Sequence, residues 1–140
     1  MRYMDNCFFE IKSGMYDEPI FAAGSCEEDD RVLRYRWTEK HGEKENPSEF
    51  EFTFDKATGV TEVIRSGDMS SVMTFDTGRP TKGSLDTVYG VIEIDINTHY
   101  INAPSVLAEA LEISYTLDSG SNEPIKNLFS IKKLLQNPKI

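Results

Sequence analysis

The chain is poor in the residues that build dedicated chemistry. Only two histidines, His41 and His99, and two cysteines, Cys7 and Cys26, stand in its 140 residues. Neither cysteine belongs to a CxxC spacing and no HExxH pattern links the histidines, so no metal site is expected. Two cysteines are also too few for the disulfide framework of a small secreted scaffold, and we expect two reduced thiols. Lys and Arg are the minority charge, 15 against 24 for Asp and Glu, a net of -9; this argues against nucleic acid or an anionic membrane surface as a partner. No stretch approaches the about 18 consecutive apolar residues that cross a bilayer as a helix. The opening MRYMDNCFFEIKSG has neither the apolar run nor the cleavage pattern of an export signal, which points to the cytoplasm. GxSxG is missing, and YGVIEI and GRPTKG lack the spacing of a Rossmann or Walker phosphate turn; no cofactor is expected.

What the chain has in abundance is alternation. In SEFEFTFD, Phe50, Phe52 and Phe54 fall on one face of an extended segment and Glu49, Glu51, Thr53 and Asp55 on the other. The same period of two sets Ile92, Ile94 and Ile96 against Glu93, Asp95 and Asn97, and Leu111, Ile113, Tyr115 and Leu117 against Glu112, Ser114, Thr116 and Asp118. These are half-buried strands. RVLRYRW and SSVMTFD read similarly, with Leu33, Tyr35 and Trp37 opposing Arg34 and Arg36. Further strands are predicted over Phe8 to Ile11, Ile20 to Cys26, Val60 to Arg65, part of Thr81 to Val88, and Ile125 to Ile131, where β-branched and aromatic residues gather.

The breakers lie between these segments. Pro19, Pro47, Pro80, Pro104 and Pro124 all fall at proposed boundaries. Asp55 to Gly59, Ser66 to Asp68 and Asp118 to Asn122 carry turn chemistry: an Asp that bonds the backbone ahead of it and a Gly that accepts positive φ. A short helix is expected at most, from about Ser105 to Ala110. The first few residues and 134–140 are expected to be mobile. Eight or more antiparallel strands with short connections bury their apolar faces as a sandwich or a closed barrel, in one domain covering 1–140. The run Glu27 to Asp30 reads as a solvated hairpin tip, and Arg34, Arg36 and Arg65 as boundary residues that snorkel or pair with nearby acids.

Three blocks carry a family resemblance. RSGDMSSVMTFDTG at Arg65 to Gly78, DTVYGVIEIDINT at Asp86 to Thr98 and LEISYTLDSG at Leu111 to Gly120 resemble, in order and content, the YwiB-like family of small bacterial proteins. The matching positions are Arg65, Gly67, Met73, Phe75, Gly78, Thr87, Gly90, Thr98 and Tyr115. Before Gly90 the family favours Tyr-x-Thr-Pro, where this chain has Leu85, Asp86, Thr87 and Val88, then Tyr89. The resemblance implies an all-β fold, a calycin-like (lipocalin-like) antiparallel barrel of about eight to ten strands. It brings no catalytic residue with it.

Three functions fit such a chain. The first is a noncatalytic barrel holding a small organic ligand, with Arg36, Arg65, Tyr89 or Tyr115 fixing its orientation. The second is a structural or regulatory module that binds a protein partner, or another copy as a homo-oligomer, through its outer surface around Glu27 to Asp30, Glu43 to Glu49 and the basic C-terminus. The third is an enzyme at the barrel mouth, using Tyr89 with Arg65 and a carboxylate.

Overall fold

The computed structural model describes residues 2–14, 16–40, 46–103, 110–120 and 123–134. Ten strands follow in order: β1 Arg2–Ser13, β2 Ile20–Glu28, β3 Val32–Glu39, β4 Ser48–Asp55, β5 Thr61–Ser66, β6 Ser70–Phe75, β7 Thr81–Thr87, β8 Gly90–Asn102, β9 Ala110–Asp118 and β10 Ile125–Leu134. Each pairs antiparallel with its neighbours in sequence, and β1 pairs with β10 to close the barrel. All ten strand segments expected from alternation and from β-branched and aromatic content form, and closure leaves no edge strand along the sheet. The short helix expected near Ser105, most of the C-terminal tail and His41 lie outside the described residues.

Cross-strand register shows why alternation translates into an interior. Trp37, Tyr35 and Leu33 on β3 face Phe50, Phe52 and Phe54 on β4, and these in turn face Arg65, Val63 and Thr61 on β5. On the far wall Ile113 and Leu111 of β9 face Phe129 and Ile131 of β10, and Ile131 faces Ile11 of β1. The inward set therefore runs unbroken around the barrel. Outward positions carry charge: Arg34 and Arg36 interleave with Glu27 and Glu51, and Lys56 reaches Glu28.

The turns follow the sequence. Asp55 Oδ1 accepts the backbone N–H groups of Ala57 and Thr58, and Gly59 closes the β4–β5 turn at φ 78°. Asp29 Oδ1 likewise accepts the N–H groups of Arg31 and Val32, so Asp29 and Asp30 of the acidic run make the hairpin turn, while Glu27 and Glu28 belong to β2 and are partly buried. Gly24 has a packing role: a Cβ there would collide with the Arg36 carbonyl oxygen on β3.

Two boundaries differ from the alternation. β1 begins at Arg2 because β2 continues to Glu28 and offers partners to Arg2, Tyr3 and Met4. On β8 a bulge between Thr98 and Tyr100 shifts the phase, so Ile101 faces Ile113. Pairing of β8 with β9 starts only at Asp95. Residues Gly90 to Ile94 thus have β7 on one side and no β9 partner on the other, and Ile92, expected in the core, is 44% exposed.

Candidate functional site

Occupancy of the interior is uneven. Phe9, Phe52, Leu111, Ile113 and Ile131, from β1, β4, β9 and β10, are all 0% exposed. On β5 to β8 the inward Thr61, Phe75 and Ile96 are just as buried, while other inward positions are more open. Val63, Met73, Leu85 and Ile94 are all only partly buried, although their register directs them to the lumen. Ten strands give a barrel roughly a quarter wider than the eight whose side chains just fill the interior.

Polar groups collect at the end of the lumen formed by the tops of β3, β4, β5, β9 and β10. Glu39, at the end of β3, has the inward parity of Trp37 and is 3% exposed. Its Oε2 accepts the Trp37 indole N–H at 2.6 Å and its Oε1 accepts the Tyr16 hydroxyl at 3.4 Å. Trp37 stacks on Phe50 with centroids 5.3 Å apart and planes 3° from parallel. The Arg65 guanidinium lies 5.4 Å from the centre of the Phe50 ring and donates from Nε and Nη2 to Ser48 Oγ at 3.3 and 3.1 Å. Beside these, the Tyr115 hydroxyl accepts from Asn127 Nδ2 at 2.7 Å. Asn127 Oδ1 in turn accepts the backbone N–H of Gly14 at 2.8 Å, tying the end of β1 to β10.

Protonation follows from burial. The Tyr16 phenol is pushed up to about 12 by desolvation first and by the Glu39 charge second, with Arg65 acting in the opposite sense. Burial also raises Tyr115, opposed by the Asn127 hydrogen bond. Both phenols are therefore neutral hydrogen-bonding groups near neutral pH.

Arg65 differs from the outer basic residues in its partners. Arg36 projects outward, lies 3.2 Å from Glu51 and 3.7 Å from Glu27, and lines an open surface groove of about 400 Å³ with Ser25, Glu49 and Ile64. A second surface hollow of about 520 Å³ contains Lys82, held 2.9 Å from both Glu93 and Asp95. In both hollows the cation is already neutralised by an adjacent carboxylate. No carboxylate among the described residues lies within ion-pair distance of Arg65, whose partners are a neutral hydroxyl and an aromatic face.

Of the four residues singled out in the sequence, Arg65 and Tyr115 face the lumen, and both act electrostatically on Tyr16. Arg36 lies on the outer wall, and Tyr89, at the tip of the β7–β8 turn, is 97% exposed. The trio of Tyr89, Arg65 and a carboxylate does not form, because the two-residue turn holds Tyr89 out in water. Sequence reasoning missed Glu39, Ser48, Tyr16 and Asn127. The first two and Asn127 were detectable as polar residues in the inward phase, continuing Tyr35–Trp37, preceding Phe50–Phe52 and preceding Phe129–Ile131. Tyr16 sits in a connection, where no periodicity operates.

Elsewhere, His99 Nε2 contacts Thr116 Oγ1 at 2.7 Å on the outer face. Cys7 and Cys26 are free and buried side by side; burial, then the neighbouring Cys7 thiol, pushes Cys26 up to about 12. Among the described residues, no three His, Cys, Asp or Glu side chains converge as metal ligands, and no helix is long and apolar enough to cross a membrane.

These features define a calycin-like barrel: ten antiparallel strands closed on themselves, with a polar group at one mouth. Residues 18–131 match the domain of unknown function DUF1934, and the chain belongs to that family. The crystal structure of the ywiB protein from Bacillus subtilis has the same fold, with a TM-score of 0.65 and 18% identity over 94% of this chain and 89% of that one. No curated protein matches the sequence.

Proposed function

We propose that the protein is a noncatalytic barrel that holds a small, largely apolar organic molecule in its lumen. The observation that supports this reading is the partly exposed inward face of Val63, Met73, Leu85 and Ile94, across the barrel from the fully buried Phe9, Leu111, Ile113 and Ile131. Apolar surface left open inside a barrel is an unspent source of binding free energy, at about 25 cal/mol per Å² removed from water. The unpaired upper part of β8 gives a route in, and the hydrogen-bonding groups at the mouth orient what enters. Neutral phenols at Tyr16 and Tyr115 suit orientation better than proton transfer. Two buried free thiols fit a reducing compartment, and we place the protein in the cytoplasm.

The test uses Nile red, a neutral dye that brightens in apolar surroundings. Its fluorescence should rise on titration with the protein, be displaced by decanol, and fall at least fivefold in Val63→Phe and Met73→Phe, which fill the open side. Unchanged dye binding in both variants, with their folding intact, rejects the lumen.

A second reading, contact with a partner protein through the outer surface, has one observation in its favour. Val88, Tyr89 and Val91 expose an apolar tip between β7 and β8, with Val88 at 92%. Mass measured across a dilution series, for wild type and Tyr89→Ser, tests self-association through that tip; one constant monomer mass in both rejects it.

A further inference from the structure

We infer that Arg65 selects a carboxylate: the ligand is an organic acid whose charged end meets the Arg65 guanidinium and whose apolar body lies on Val63 and Met73. This rests on the lumen reading and names the class of molecule that the lumen takes.

The inward position of Arg65 follows from register and contacts together. It opposes Phe50 on β4 and Ser71 on β6, both in the inward phase, and its head is held between the Phe50 ring and Ser48 Oγ. A guanidinium has five N–H donors. Here Nε and Nη2 share one neutral hydroxyl, and Nη1 makes no hydrogen bond within the described residues. The cation is thus fixed in place without a direct ion pair among the described residues. Glu39, the acid of the same mouth, bonds Trp37 and Tyr16 through its two oxygens, with no ion pair to Arg65.

An arginine held this way, stacked on one face and with donors to spare at its edge, fits the paired oxygens of a carboxylate. Removal from bulk water strengthens that attraction. One inward step down β5 from Arg65 is Val63, about 7 Å along the strand, and Val63 faces Met73. Charged head and apolar surface are therefore spaced as in a short organic acid, head toward the mouth and body toward the interior. The chain's net charge of -9 repels anions at long range, so preference for an acid has to come from this local contact.

Trp37, the one tryptophan of the chain, provides the readout, because it stacks on the same Phe50 ring that carries Arg65. Trp37 fluorescence is titrated with three acid and alcohol pairs: decanoate and decanol, 4-phenylbutyrate and 4-phenylbutanol, 1-naphthylacetate and 2-(1-naphthyl)ethanol. In wild type, the acid of at least one pair should bind ten times tighter than its alcohol or better. Arg65→Met should bring that ratio to within a factor of three of unity while alcohol affinity holds, and Arg65→Lys should keep part of the preference. Alcohol binding in Arg65→Met shows that the variant is folded. Equal affinity for acid and alcohol in wild type, or a preference that survives Arg65→Met, overturns the inference and leaves the lumen reading standing. If neither member of any pair binds, or if Val63→Phe leaves binding unchanged, the lumen reading fails and the inference with it.

Discussion

Phe52 and Met73 both face the barrel interior, yet the structure assigns them very different energetic weight. Phe52 is 0% exposed and stacks on Tyr35 with centroids 5.8 Å apart. Its truncation to alanine removes a ring from a fully packed wall and should cost about 3–5 kcal/mol. Unfolding entropy of about 2.1 cal/mol/K per residue gives about 0.3 kcal/mol/K for a chain of this length, so a cost of about 4 kcal/mol lowers Tm by about 14 °C. Met73 lies at the partly open wall, and Met73→Ala removes atoms that retain contact with water on one side. Its cost should be about 1 kcal/mol, or about 3 °C. Urea or heat unfolding followed by Trp37 fluorescence measures both, since Trp37 is buried in the native state. If Met73→Ala destabilises as much as Phe52→Ala, the lumen is packed on every side, and the partly open interior on which the functional reading depends is wrong.

Two further outcomes follow from local geometry and from protonation. Gly24→Ala forces a Cβ into the Arg36 carbonyl oxygen and should cost more than about 3 kcal/mol, whereas Gly59→Ala, at a turn with open space around it and φ 78°, should cost about 1 kcal/mol; denaturant midpoints of the two variants in reversed order would refute the close approach of β2 and β3. Tyr16 has a folded value near 12 against an ordinary 10.0, so the native state holds this proton more tightly than the unfolded chain. Its contribution is complete below about pH 10 and is lost as pH climbs from there toward 12. Tyr35 and Tyr115 shift in the same direction. Tm should fall over that window in wild type and fall less steeply in Tyr16→Phe; identical slopes would remove Tyr16 from the buried cluster.

Much of this molecule was legible in one dimension because a strand's side chains alternate with a period of two, which a short window reveals. Phe50, Phe52 and Phe54 share the inward phase in sequence and in space, and Asp55 to Gly59 makes the turn its residues demand. Five strands were legible for that reason and five from their β-branched and aromatic content, even where, as at Arg2, pairing carried a strand past its apolar part. Ile92 shows the limit: its phase is inward, but whether that face is covered depends on how far β9 extends alongside β8.

The site was less legible. Phase put Tyr115 on the inward face and could have added Glu39, Ser48 and Asn127, which were not singled out, and it set Arg36 opposite Tyr35 and Trp37 although Arg36 was offered as a ligand contact. It could not say which of them share one mouth. That depends on strand tilt and stagger, which are settled when β1 meets β10 more than a hundred residues away in sequence. Sequence by itself determined which side chains each strand turns to each face, and where the chain reverses. Only closure of the barrel decided that Arg65 would lie on Phe50 with no carboxylate of the described residues in ion-pair contact, that Trp37 and Tyr16 would bond Glu39, and that Val63, Met73, Leu85 and Ile94 would be only partly covered. Alternation is a local property of the backbone, whereas the neighbours of an inward side chain come from strands brought together by the whole fold.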